Sequence, residues 1–297
     1  MPAAKSRRRA LQAMLLASAL GSASILLGGP ARAQQAGGDN LGLELVDPKV
    51  LRVCSDPSNM PFSDQKGEGF ENKLAEMLAG KLDKKLAYTW YPQSTGFVRM
   101  TLGSFRCDVI MGFPQGGDLV QSTNPYYRSV YVLMFKPGSD LEGIDSIGDP
   151  RLQDKRIGIV AGTPPATYMV ARGLMPHAKP YSLVVDTRVD SVGSAMTKDI
   201  ASGEIDAGIL WGPIAGHYAR QADPPLRVVP LLKETGGPAL AYYMTMGVRP
   251  ADQAWKRELN RLIQENQPAI TRLLLDFGVP MLDEKGGLVT DASAAKR

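Results

Sequence analysis

The most constraining feature of the chain is an order of elements that it spells twice. LRVCSD (Leu51–Asp56) is a short β-branched run stopped by Pro57, and GFENKLAEMLAGKL then sets Phe70, Leu74, Met77, Leu78 and Leu82 at helical spacing. LAYTWYP from Leu86 reads as a strand, GFVRMTLGSF from Gly96 as a short helix, and CDVIMG from Cys107 as a fully buried strand. The series restarts with KRIGIVAGT (Lys155–Thr163), PPATYMVARG with its helix-opening prolines, a strand YSLVVD from Tyr181, the helix SAMTKDIASG and the strand IDAGILWG from Ile205. A β-α-β-α-β order implies parallel strands joined by right-handed crossovers. The echo is also literal: Thr101–Pro114 and Asp199–Pro213 share a helix end, a Gly/Ser turn, an Asp opening the strand, and Gly with Pro closing it.

Two long β-rich runs, YYRSVYVLMFKPG from Tyr126 and PALAYYMTMGVRP from Pro238, bracket the second series. A chain that crosses over and returns in this way makes an α/β fold of two lobes, each a parallel-type sheet flanked by helices, joined by a two-strand hinge. WKRELNRLIQ and ITRLLLDFG then predict a C-terminal helical pair packing back on the first lobe. The expected division is residues 34–136 with 241–285 for lobe 1, 137–240 for lobe 2, and a loose tail over 286–297.

The first 33 residues read as a leader. Lys5, Arg7, Arg8 and Arg9 precede a small-residue apolar core, and the segment closes on an A-x-A pattern at Ala31–Ala33. Its departure removes five basic residues and no acid, leaving 34 less five, or 29, basic against 30 acidic side chains. The basic balance of the whole chain therefore gives no support for nucleic-acid or anionic-membrane binding. With no cysteine at the cleavage point and no other long apolar run, a monomeric periplasmic protein without an anchor is expected. Cys54 and Cys107 are the two cysteines; in an oxidising compartment such a pair forms a disulfide or remains as two buried thiols.

LRVCSDPSNMPFS, GFENKLAEMLAGKL, TLGSFRCDVIMG, NPYYRSVYVLMFK, IGIVAGT and GEIDAGILWGPIAGHYA together resemble the bilobed periplasmic solute-binding proteins (type II fold), in the amino-acid-receptor branch. That resemblance implies a ligand held between the lobes. Yet the loop after CDVI, where amino-acid receptors carry an Arg that forks onto the ligand carboxylate, has Asp118 as its one charge between Met111 and Tyr127. The strand that would end in an Asp ends in Trp211–Gly212, and Thr163 is followed by Pro164, which has no N–H to offer. A narrower resemblance, carried by YTWYPQSTGFVR, CDVIMGFPQGGDLV, GEGFENKLAE and the two cysteines, is to the MxaJ/XoxJ family that accompanies periplasmic quinoprotein methanol dehydrogenases, enzymes that use pyrroloquinoline quinone.

The resemblance implies a non-enzymatic accessory protein without a cofactor of its own. Its expected partner is a methanol dehydrogenase of the lanthanide-dependent kind, with that enzyme's cytochrome c as a further contact. The residues expected to line the cleft or meet the partner are Asp56, Asn59, Phe62, Trp90, Tyr91, Gln93, Phe113, Gln115, Tyr127, Thr163 and Trp211. Aromatic strand ends suit an apolar or protein ligand, though ordinary core packing also accounts for Tyr126 and Tyr131, and turn chemistry for the SDPSN stretch. Arg99 and Arg128 are the basic side chains near the first-lobe loops. His177 and His217 sit on separate elements without a metal-ligand pattern. Two other functions remain open on the sequence: a transport receptor for a small solute, and an enzyme like the cyclohexadienyl dehydratases, with Asp56 or Asp118 as the acid.

Overall fold

A computed structural model of the chain describes residues 44–291. The expected leader and its cleavage point lie outside the described residues, as do residues 292–297. Among the described residues no helix is long and apolar enough to cross a membrane.

The first series forms β1 (Val50–Ser55), α1 (Phe70–Lys81), β2 (Lys85–Trp90), α2 (Phe97–Met100) and β3 (Val109–Pro114), followed by the connecting strand β4 (Tyr127–Phe135). The second forms β5 (Ile157–Val160), α3 (Pro164–Ala171), β6 (Ala178–Tyr181), α4 (Val192–Ser202) and β7 (Ala207–Trp211). After α5 (Gly212–Gln221) and β8 (Arg227–Pro230), β9 (Ala241–Val248) leads into α6 (Gln253–Asp276). β1 pairs in parallel with β2 and β3, with Val53 opposite Tyr88 and Val109. β5 pairs in parallel with β6 and β7, with Ile159 opposite Pro180 and Ile209. The connectors run the other way: β9 is antiparallel to β3 and β4, and β4 to β7. β4 is shared by the two sheets, pairing with β9 through Tyr127–Val130 and with β7 through Tyr131–Phe135, so they join in one path, β2-β1-β3-β9-β4-β7-β5-β6.

Two main cores flank this path. Leu51, Val53, Phe70, Leu74 and Met111 pack with Leu259, Leu262 and Ile270 of α6 in one, and Ile157, Ile159, Met169, Met196, Ile200 and Ile209 form the other. β4 serves both: Tyr127 belongs to the first, while Val130 and Val132 to Phe135 belong to the second, so these residues pack with the half that follows them.

Three elements differ from their sequence reading. The helical pair is one 24-residue helix with Pro268 inside it, because Trp255, Leu259, Ile270 and Leu274 all face the same core. The strand expected from Tyr181 ends there, having begun at Ala178. It lies at the sheet edge, where Pro180 is tolerated because no ladder partner needs its N–H. The segment expected as a loose tail starts with order, since Leu288 bridges to Leu282 and Val289 N–H donates to the Met281 carbonyl at 2.9 Å.

Candidate functional site

The cleft is a cavity of about 210 Å³ where the ends of β5 and β7 face the loop after β1. It gathers five of the residues expected there: Asn59, Phe62, Gln93, Thr163 and Trp211. Trp211 ends β7 just before Pro213 opens α5, which sets its indole edge-on to Tyr131 (centroids 5.3 Å apart) and Tyr242 (6.0 Å). Burial, with the neighbouring Tyr242, pushes the Tyr131 phenol up to about 12, so it stays a neutral donor. Phe62 turns its ring edge toward Phe70 of α1 at 5.3 Å. Asn59 Nδ2 donates to Gln93 Oε1 at 2.9 Å, and Thr163 spends its hydroxyl on the Val160 carbonyl at 2.7 Å. Among the described residues that line the cavity none is Arg or Lys.

Asp56 lies beneath this wall, 2 % exposed. Its carboxylate accepts from the backbone N–H of Ser58 (2.9 Å) and of Gln93 (2.6 Å), and from the Thr187 hydroxyl (2.8 and 3.0 Å to the two oxygens). Thr187 stands 131 positions away in the segment 182–190, which follows β6 and carries Leu183 and Val185 into the cavity. A single side-chain contact thus joins the floor of one half to the covering segment of the other. The strand expected over LVV is what hides this segment's place at the site from the sequence. The edge position of β6 is what releases it: beyond Tyr181 no β5 residue remains to pair.

The other expected residues lie elsewhere. Trp90 stacks on Tyr88 along edge strand β2 (4.6 Å, 19°), and Gln115 is exposed. Tyr91 and Phe113 pack on the small core around the Cys54–Cys107 disulfide, which joins β1 to the residues before β3 with Cα atoms 5.4 Å apart. Tyr127 is buried against Phe70 and Tyr126, and the Tyr126 hydroxyl donates to the Met111 carbonyl at 2.9 Å. Arg99, Asp118 and His177 are exposed. His217 is half-buried, which together with Arg220 holds its imidazole below the ordinary value. Among the described residues no cluster of three His, Cys, Asp or Glu side chains forms a metal site.

A buried acid that the sequence reading passed over stands behind the cleft. Glu71, in the first turn of α1, is buried and its carboxyl is pushed up to about 8 by burial and by the nearby charge of Asp56. The carboxyl occupies the space a side chain at 112 would need, since a Cβ there would meet Oε1 at 2.1 Å. That is the physical reason β3 carries a glycine at Gly112.

The sequence profile described as bacterial extracellular solute-binding protein matches residues 114–272. The protein MoxJ of Methylorubrum extorquens is 30% identical over 300 residues, covering 95% of this chain and 99% of that relative. The crystal structure of periplasmic binding protein XoxJ from Methylobacterium extorquens AM1 is 42% identical, covers 79% of this chain and all of its own, and superposes with a TM-score of 0.68. The structure of MxaJ from Methlophaga aminisulfidivorans is 27% identical over 78% of this chain and all of its own, with a TM-score of 0.66.

Proposed function

Because the chain belongs to the bacterial extracellular solute-binding family, in the branch of MoxJ, XoxJ and MxaJ, we propose that it is a non-enzymatic periplasmic accessory protein of a methanol dehydrogenase. It grips an apolar segment of that enzyme between two lobes, 34–136 with 241–285 and 137–240, and helps it mature. The lanthanide-dependent, quinone-containing enzyme is the intended partner. The observation that carries this reading is the cleft wall itself. It offers aromatic and aliphatic side chains from both halves and, among the described residues, no cation; Asp56 beneath it is engaged by donors from within the chain, and Asp190 stands exposed on the lining. The carboxylate of a zwitterionic solute would find no Arg or Lys among the described residues of the lining, and the lost charge-assisted bond forgoes about 1.5–3 kcal/mol. Aromatic anchors in a desolvated groove are what protein partners use.

The closed cavity, about 210 Å³, falls below the roughly 300–1,000 Å³ of small-molecule pockets. A protein segment therefore enters only if the segment 182–190 lifts, and the contact to be broken is Thr187 with Asp56. Affinity capture with the purified protein tests the proposal: it retains the dehydrogenase in its apo or loaded form, and Trp211→Ala weakens capture at least tenfold. Capture of neither form overturns it. The small volume also favours one rival, a receptor for a solute of few atoms. Such a receptor gains about 2.7 kcal/mol of stability at a hundredfold excess of ligand over Kd, so a metabolite panel that leaves Tm flat removes it.

A further inference from the structure

A larger cavity, about 310 Å³, lies away from the cleft. Its walls come from the start of β4, from Tyr243 of β9, from Gln267 and Thr271 of α6, and from the closing segment that carries Met281 to Val289. This is where the two connecting strands leave the first core. Its volume reaches the range of small-molecule sites, which the closed cleft does not.

The group that gives this cavity its chemistry is Arg128. The side chain is half-buried, its guanidinium carbon 5.1 Å from the centre of the Tyr243 ring. Its Nε–H is sealed from solvent with no acceptor, and no carboxylate of the described residues lies within ion-pairing distance of the guanidinium. The Nε–H has given up water, and the guanidinium has one ring face beside it in return. Buried donors are normally matched by acceptors, and an unmatched one is a costly exception. Arg128 and Tyr243 both line the cavity, and a guanidinium there is the group that takes a carboxylate on two donors. The remaining walls decide the rest of the ligand. Tyr127, Met281, Leu282 and Val289 favour an apolar body, and the exposed rim carries Asp283 and Glu284 against the single cation Lys285, which disfavours polyanions.

We infer that the cavity between β4, β9, α6 and the closing segment is a second binding site, which takes an apolar monocarboxylate on Arg128. It is independent of the cleft and of any dehydrogenase.

Calorimetric titration of the purified protein with benzoate, and with benzamide, citrate and inorganic phosphate as controls, tests it. Benzoate binds; the uncharged amide and the polyanions bind at least tenfold more weakly. Arg128→Gln reduces benzoate affinity tenfold or more, while Trp211→Ala in the cleft leaves it within twofold. Val289→Trp, which fills the cavity from its exposed side, keeps the far-ultraviolet circular dichroism and loses the binding, so the assignment does not rest on the arginine variant folding. Benzoate binding no better than benzamide, unchanged affinity in Arg128→Gln or Val289→Trp, or loss of binding in Trp211→Ala would each overturn the site.

Discussion

Asp108 and Asp206 open equivalent strands in the two halves, and they begin alike. Each backbone N–H donates at 2.8 Å to the carbonyl of an arginine of the neighbouring strand or next to it, Arg52 within β1 in one half and Arg156 just before β5 in the other. Each carboxylate then takes that same arginine as a two-pronged fork, at 2.7 Å for Asp108 and at 3.1–3.2 Å for Asp206. The difference lies in what is added. Asp108 is 1 % exposed and receives a second guanidinium, that of Arg249, at 2.7 Å. Arg249 is itself buried, gives its Nη1 to the Cys107 carbonyl at 2.6 Å, and holds its Nε 2.7 Å from Asp252, an ion-pair distance off the hydrogen-bond line. Asp206 receives no second guanidinium among the described residues, only the Arg156 backbone N–H at 2.8 Å besides the fork, and about a third of its side chain meets water. One motif thus serves two ends. In the first half it anchors the chain's return from β9 into α6; in the second it only closes a strand edge.

The largest expected effect breaks this comparison on its buried side. Asp108→Ala leaves the buried Arg249 short of a carboxylate, and removing one partner of a buried pair costs about 3–5 kcal/mol. Urea unfolding should show a loss of that size. A loss under about 1 kcal/mol would mean that the two aspartates are equivalent after all.

Glu71 has no counterpart in the second series and sharpens the contrast through pH. Its folded value near 8 lies above the ordinary 4.5, so the folded state holds a proton that the unfolded state has released between those values. Stability from this group is therefore complete below about pH 4.5 and declines as pH rises toward 8, by an amount on the order of a few kcal/mol. Glu71→Gln should flatten the stability profile over that window and leave the variant more stable than the parent at pH 8. An unchanged slope would show the carboxyl to be ionised in the fold.

These differences also mark what the sequence could and could not convey. Periodicity and Gly/Pro punctuation carry the strands and helices of both series, because those signals are local. The 24-residue α6 escapes the same reading because a mid-helix proline costs about 3 kcal/mol, and only the shared core that takes Leu259 on one side of Pro268 and Ile270 on the other outweighs it. In the cleft, Trp211, Phe62 and Asn59 are legible as the ends of strands and the turns after them. Thr187 is not, since nothing within a few residues of it records a carboxylate 131 positions away. Trp90 has the same sequence credentials as Trp211, but it lies on an edge strand beside Tyr88, and stacking along that strand takes its ring.

Where the two halves touch, Thr187→Val tests whether the contact is a restraint or a mere neighbour. The change removes one donor from Asp56 and keeps the shape of the side chain. A hydrogen bond to a charged group is worth about 1.5–3 kcal/mol, so the segment 182–190 should exchange its amide hydrogens roughly tenfold or more faster, with the rest of the chain unaffected. Equal protection in parent and variant would leave Leu183 and Val185 as the whole of what holds the segment down.

The smallest effect belongs to the motif where it is exposed. In Asp206 burial pushes the carboxyl up, but the hydrogen bonds and charge of Arg156 outweigh it and hold the group below its ordinary value. The stability it adds is present above the ordinary carboxylate range and is lost as pH falls through the depressed value. Because water reaches both partners, Asp206→Ala should cost under about 1 kcal/mol at neutral pH, and the cost should shrink further in high salt. Measured beside Asp108→Ala under one set of conditions, a small and salt-sensitive loss against a large and salt-insensitive one would establish that burial, rather than the Asp–Arg pairing itself, separates the two halves. A large, salt-insensitive loss at Asp206 would instead assign the strength to the fork and its backbone bond, which the halves share.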